Sequence, residues 1–516
     1  MPQKTITLIL ICITLIVACE ESAPVVTSTL ITNAVIHNGS GSEAFHAAVR
    51  IDGDRIIEIG DFVPLEGETT IDAGGLVLAP GFIDTHSHHD EHLDEYRHMP
   101  GALSQGITTI TRGMDGFSDI SNQAHFTTLS DFKSLFAAAP AAVNIVSYAP
   151  HNSIRHQVLG VDNKREASAE EIQQMSALVA AEMTAGAMGL ATGLEYEPGL
   201  YSSTEEVIAL SRVTAGFNGK YTSHIRDEDD HFLEAVQELI HIGREAKLPV
   251  HIAHIKLADR EFWGTSGAVL QLLDDAISTG VQVTADIYPY QRWASDLTIL
   301  FPHRDYSDRS DAEFTFAHTA SPEDIVLSRF LPNSDFSGLS VAEISRITEK
   351  DPESTLMELA QAADDYFQET GIRGAMIIAK GMDEGDVAAL MQWENTNICS
   401  DGGHGGGHPR GYGAFPRVLG RFVRELGVLT LQDAIHKMTG LPAETLGIEN
   451  RGRIRTGYYA DLVLFDPDTI QDKATMQDST ALSVGIEKVW VNGVLAFDHG
   501  EPTMVYPGRV ITRDSL

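Results

Sequence analysis

The run Pro80-Gly81-Phe82-Ile83-Asp84-Thr85-His86-Ser87-His88 is apolar until it ends in two histidines one residue apart. In a β-strand, residues i and i+2 face the same side, so His86 and His88 can present both imidazoles to one metal ion or one pocket. A chain with 21 histidines also produces a His-x-His by chance, so the surrounding pattern carries more weight than the pair. Two further apolar β-like runs end in histidine, Tyr221-Thr222-Ser223-His224 and Pro249-Val250-His251-Ile252-Ala253-His254. A fourth, Ile398-Cys399-Ser400-Asp401, ends in a carboxylate. A (β/α)8 barrel gathers such strand ends at one face, where its active sites lie. The sequence therefore predicts an α/β fold on a (β/α)8 TIM-like barrel with metal-compatible side chains at its mouth.

At 516 residues the chain exceeds one barrel of ~250 residues and leaves room for an accessory domain. Residues 20–78 read as short alternating strands with turns at Asn38-Gly39, Asp52-Gly53 and Gly74-Gly75. Residues 446–516 read likewise, through Ala460 to Phe465 and Val489 to Val494. These two segments predict one small β-sandwich domain formed from both chain ends, with the barrel over 79–445. A helix-like stretch from Ser168 to Glu182 opens on the capping-box pattern of Ser168 and Glu171 and precedes strand-like Met188 to Ala191. The polar, acidic interval of about 298–374 breaks the βα rhythm and is expected as an insert over the barrel mouth. The glycine loop Gly402-Gly403-His404-Gly405-Gly406-Gly407-His408, directly after Asp401, permits hinge motion and is a candidate gate.

The net charge of −37 argues against a nucleic-acid partner, because phosphate contacts need clustered Lys and Arg. At the N-terminus, Lys4 precedes an apolar run from Ile6 to Val17 that is too short for a comfortable transmembrane helix and has signal-peptide layout. Ile16-Val17-Ala18-Cys19 resembles a bacterial lipobox. Residues 1–19 are thus expected to be a lipoprotein signal peptide, with lipid on Cys19, export to the cell envelope, and membrane contact only through that lipid. With Cys12 removed and Cys19 lipidated, Cys399 has no intramolecular disulfide partner. It reads as a small buried apolar residue rather than a nucleophile.

The ordered set Gly81-Phe82-Ile83-Asp84-Thr85-His86-Ser87-His88, Gly193-Leu194-Glu195-Tyr196-Glu197-Pro198-Gly199, His224-Ile225-Arg226-Asp227-Glu228, His254-Ile255-Lys256, Asp286-Ile287-Tyr288-Pro289-Tyr290, Ser400-Asp401-Gly402 and His408-Pro409-Arg410 resembles the N-acyl-D-amino-acid deacylases, or D-aminoacylases, of the metal-dependent amidohydrolase superfamily. The resemblance spans about Thr29 to Arg513. It implies that His224 and His254 bind a tight Zn2+, that His86 and His88 serve a weaker second site, and that Asp401 is the catalytic acid/base. It also implies that Arg410, Lys256 and Tyr290 receive the substrate carboxylate and that Tyr196 is presented to the substrate. The substrate would be a small molecule, an N-acyl-D-amino acid.

One position departs from that pattern. Deacylases of this type carry Gly-Asn-Cys-Gly at the second strand with the cysteine as a zinc ligand, whereas this chain reads Gly113-Met114-Asp115-Gly116. Asp115 is expected to ligate in its place, as a harder and less charge-donating group. The segment Gly186 to Pro198 has no lysine, so a carbamylated lysine bridge is not expected. Fold and metal leave the substrate open. A dipeptidase or cyclic-amide hydrolase on the same scaffold, and a noncatalytic tethered binding protein, are the competing readings.

Overall fold

The computed structural model describes residues 28–118 and 126–513. The expected signal segment, Cys19 included, lies outside the described residues. Eight strands form the barrel: β1 (Phe82–Asp84), β2 (Ile107–Arg112), β3 (Asn144–Ser147, continued by Ala149–Pro150), β4 (Gly189–Gly193), β5 (Lys220–His224), β6 (Val250–Ile252), β7 (Val283–Ile287) and β8 (Thr396–Ile398). All neighbouring pairs are parallel, β1 to β3 in one run and the Ala149–Pro150 extension to β8 in another. The ring closes through the residues beyond β1 and β8. Asp401 N donates to His86 O at 2.9 Å, His88 N donates to Gly402 O at 2.8 Å, and the Asp84 carboxylate accepts Ser400 N at 2.9 Å. Closure thus brings the two ends that carry His86, His88 and Asp401 side by side.

The strands are buried on both faces because helices pack outside and side chains fill the inside. The helix Phe232–Ala246 shows how the sequence achieves this. It buries Phe232, Ala235, Val236, Leu239, Ile240, Ile242, Gly243 and Ala246, a stripe with helical spacing. The helix Ala169–Ala185 starts at the expected capping box, in which Ser168 and Glu171 satisfy each other's backbone N–H groups.

Both chain ends build a nine-stranded sheet beside the barrel. The halves join where Val77–Pro80 runs antiparallel to Leu462–Phe465, immediately before β1. Ile31, Ile36, Val49, Leu78, Leu464 and Trp490 form its own apolar core. Between β7 and β8, strands Arg292–Asp296, Val326–Phe330 and Ala375–Lys380 make a three-stranded antiparallel sheet with Ala375–Lys380 in the centre. The irregular interval read from the sequence falls within this module. Leu300, Arg304, Phe314, Ser328, Ile372 and Met376 of the module line the cavity at the barrel mouth. Among the described residues, no helix is long and apolar enough to cross a membrane.

Candidate metal centre and active site

Asp115 sits where four histidines converge. Its Oδ1 lies 3.4 Å from His86 Nε2, 3.4 Å from His254 Nε2 and 3.9 Å from His224 Nδ1, while its Oδ2 lies 3.4 Å from His88 Nε2. These separations suit atoms grouped around an ion, since two ligands bonded tetrahedrally at 2.0–2.1 Å sit about 3.3 Å apart. Two groups that include Asp115 can hold a metal: Asp115, His224 and His254, and His86, His88, Asp115 and Asp401. Both ring nitrogens of buried His86 lack a hydrogen-bond partner. Such an orphaned pair in the interior is costly unless a group such as a metal takes the lone pair.

Local backbone geometry aims these side chains. Asp115, His254 and Asp401 all have left-handed φ, at 54°, 34° and 48°. Non-glycine residues rarely adopt this region, and such strain persists only where surroundings enforce it. Gly113 and Gly116 flank Asp115, and a Cβ on either would meet Tyr148 O at 2.6 Å or Asn152 Oδ1 at 2.4 Å. The Gly-Met-Asp-Gly turn therefore needs both glycines to deliver the carboxylate. At His254, the Asp286 carboxylate accepts the backbone N–H and also bonds His251 Nε2 at 2.9 Å.

Asp401 lies 3.3 Å from His88 Nε2 and forms a 2.7 Å ion pair with Arg410. Burial alone would raise its pKa, but Arg410, then His254 and His88, hold it well below the usual carboxylate range. Burial lowers the His224 pKa to about 4, leaving a neutral ring with a lone pair for a metal. Glu228 would also be raised by burial, yet His224 and Lys256 bring it down to about 2.

These groups open onto a cavity of about 730 Å³, within the range of small-ligand sites. His88, Asp115, Tyr196, His224, His254, Lys256, Asp401 and Arg410 all line it. Tyr196 packs its ring 4.4 Å from that of His224, and Ser295 Oγ donates to its hydroxyl at 3.3 Å. Lys256 has its ammonium engaged by both oxygens of Glu228, at 2.7 and 2.6 Å, so it reaches the cavity as half of an ion pair. Tyr290 departs from expectation, because it is not on the cavity wall. A tight turn in which Tyr290 N donates to Tyr288 O at 2.9 Å breaks the extended phase after β7. The Tyr290 ring instead meets His408 edge-on and lies under Arg417. Tyr288 takes the wall position, beneath the Arg410 guanidinium. Cys399 is buried.

From sequence Glu195 could supply an oxygen in place of the missing lysine, but its contact with His224, and Glu228 altogether, were missed. Glu195 Oε2 is 2.7 Å from His224 Nε2, and Glu228 Oε1 is 3.2 Å from His254 Nδ1. Only their placement at the ends of β4 and β5, next to motif residues, hinted at them.

The sequence profile of the amidohydrolase family matches residues 69–316 and 395–497. The chain is 34% identical over 502 residues to the D-aminoacylase of Alcaligenes xylosoxydans xylosoxydans, covering 94% of this chain and 97% of that one. It is 36% identical over 495 residues to the N-acyl-D-glutamate deacylase of the same organism, covering 93% and 95%. Among solved structures, the N-acyl-D-glutamate deacylase of Bordetella bronchiseptica, complexed with zinc and a phosphonate inhibitor that mimics the tetrahedral intermediate, matches with a TM-score of 0.83 at 32% identity, covering 94% of this chain and 99% of that one. With these likenesses spanning nearly its whole length, the chain belongs to the amidohydrolase family, in the D-aminoacylase branch of that family.

Proposed function

We propose that the protein is a zinc-dependent hydrolase that cleaves N-acyl-D-amino acids to a carboxylate and a free D-amino acid. The observation that carries this reading is the convergence of four histidines on Asp115, with Asp401 beside them, at the floor of one cavity. The relatives named D-aminoacylase and N-acyl-D-glutamate deacylase supply the substrate class. Asp115, His224 and His254 would hold the tight ion, and His86 and His88 a second, weaker one. Zinc bound there lowers the pKa of a coordinated water and polarises the scissile carbonyl.

The chain's own residues supply the rest. Asp401 takes the proton of the attacking water and passes it to the departing nitrogen. Arg410 and Tyr288 receive the α-carboxylate, for which a planar guanidinium has matching geometry. A substrate carboxylate that draws Arg410 away leaves Asp401 more basic when it must accept a proton. Tyr196, held by Ser295, orients the acyl carbonyl from the opposite wall. Lys256 keeps Glu228 charged and adds positive potential to the wall.

The three-stranded module closes over bound substrate, and its residues on the cavity wall support that role. Export and lipid attachment at Cys19 rest on the lipobox-like Ile16-Val17-Ala18-Cys19. Incorporation of labelled fatty acid, lost in Cys19→Ser, tests the anchor.

The activity is tested with protein expressed from Glu20 onward, loaded with zinc and offered paired N-acetyl-D- and N-acetyl-L-amino acids. Release of free amino acid from the D-series alone, abolished by chelator, is expected. Release from neither series, with dipeptides or cyclic amides cleaved instead, would overturn the substrate assignment.

A further inference from the structure

His224 and His254 are gripped from outside as well as from inside. Their inner nitrogens, Nδ1 of His224 and Nε2 of His254, lie 3.1 Å apart and face Asp115. The outer nitrogen of His224 faces Glu195, and that of His254 faces Lys256 Nζ at 2.7 Å and Glu228 Oε1 at 3.2 Å. Glu195, His224 and Glu228 are themselves close enough to be considered as a third cation site. The distances argue otherwise. Two ligand atoms sharing one ion stand about 3.3 Å apart, whereas His224 Nε2 and Glu195 Oε2 are at 2.7 Å, a hydrogen-bond length. The Lys256 ammonium already occupies both oxygens of Glu228. A neutral imidazole has one N–H and one lone pair, so a ring that offers Nδ1 inward carries its hydrogen on Nε2.

We infer that Glu195 is a positioning residue. Its carboxylate accepts the Nε2–H of His224 and fixes the tautomer and ring angle in which Nδ1 presents its lone pair to zinc. The inference rests on the reading of His224 as a zinc ligand. The sheet builds this contact directly: Gly193 at the end of β4 pairs with His224 at the end of β5, and Leu194 N donates to His224 O at 3.0 Å. Glu195 follows at once, opposite the ring. The module over the mouth holds it there, since Arg304 donates to the Glu195 carbonyl at 2.6 Å and to the Phe301 carbonyl at 2.6 Å. Glu195 therefore joins the zinc ligand on the barrel floor to the roof of the cavity.

The test is zinc affinity of the metal-free full barrel protein, measured by competition with a chromophoric chelator, alongside the visible spectrum of the cobalt form and the melting temperature of the metal-free form. Glu195→Ala is expected to weaken the tight site by about 10–100-fold and to change the cobalt bands, with the metal-free melting temperature unmoved. Glu195→Gln retains an acceptor oxygen and is expected to recover most of that affinity. Wild-type affinity and spectrum in Glu195→Ala would overturn the inference. So would equal loss in both variants with a lowered melting temperature, which marks general disruption. His224→Ala separates the two levels: tight zinc retained there overturns the ligand assignment itself, whereas zinc lost there but kept in Glu195→Ala removes only the role given to Glu195.

Discussion

The outer nitrogen of His224 meets Glu195 and that of His254 meets Lys256, at 2.7 Å, and Glu228, at 3.2 Å, whereas buried His86 has no hydrogen-bond partner at Nδ1 and His88 is 16% exposed. One half of the centre is pre-set and the other is adaptable. A ring held by an outer carboxyl group, as His224 is by Glu195, loses little freedom when a metal binds. His86 and His88 have no such anchoring, and His88 is shared between Asp115 and Asp401. Burial lowers the His88 pKa, but its contacts with these two carboxylates raise it well above the ordinary value. At His254 burial and Lys256 lower the pKa, but Asp401, Glu228 and Asp115 outweigh them and raise it to about 9, so a proton must leave each half before a metal binds. Two ion positions that share one carboxylate thus differ in how firmly their rings are held.

The sharpest way to break this comparison is to remove what the halves share. Asp115→Ala is expected to lose zinc from both positions and to abolish activity, which elemental analysis after dialysis measures; unchanged zinc would remove Asp115 from the ligand set. Asp401→Asn is expected to lower kcat by about 10²–10⁴-fold while zinc at the His224 and His254 half stays bound. His254→Ala against His88→Ala then separates the halves. The first should lose the tight ion, and the second should keep it with a lesser effect on rate.

The smallest predicted effect is a shift of the pH profile. Asp401 must be unprotonated to act as a base, so kcat/KM falls as pH drops through its pKa. Arg410 holds that pKa low, and Arg410→Met should move the acid limb to higher pH, besides raising KM. An acid limb left in place would mean that another group controls it.

The barrel was legible because its chemistry sits at strand ends, where period-two spacing and apolar runs fix which way a side chain points. His86 and His88 illustrate this, and the ring closure that sets Asp401 beside them follows from the fold. Tyr288 against Tyr290 was not legible, because the turn at Pro289 decides which ring faces the cavity and depends on packing against His408 and Arg417. Lys256 is expected from the sequence among the groups that receive the substrate carboxylate, and only the fold shows its ion pair with Glu228. Glu195 was open for the same reason: its contact with His224 is set by the register of β4 on β5, which no local pattern reports.

The most direct measurement is stepwise zinc titration of the metal-free protein by calorimetry, with hydrolysis of an N-acetyl-D-amino acid followed at each step. One equivalent should bind tightly, bring up activity and be followed by a second that binds at least about tenfold more weakly, a difference of about 1.4 kcal/mol. Two equivalents of equal affinity, or D-substrate hydrolysis without any tightly bound zinc, would contradict the account.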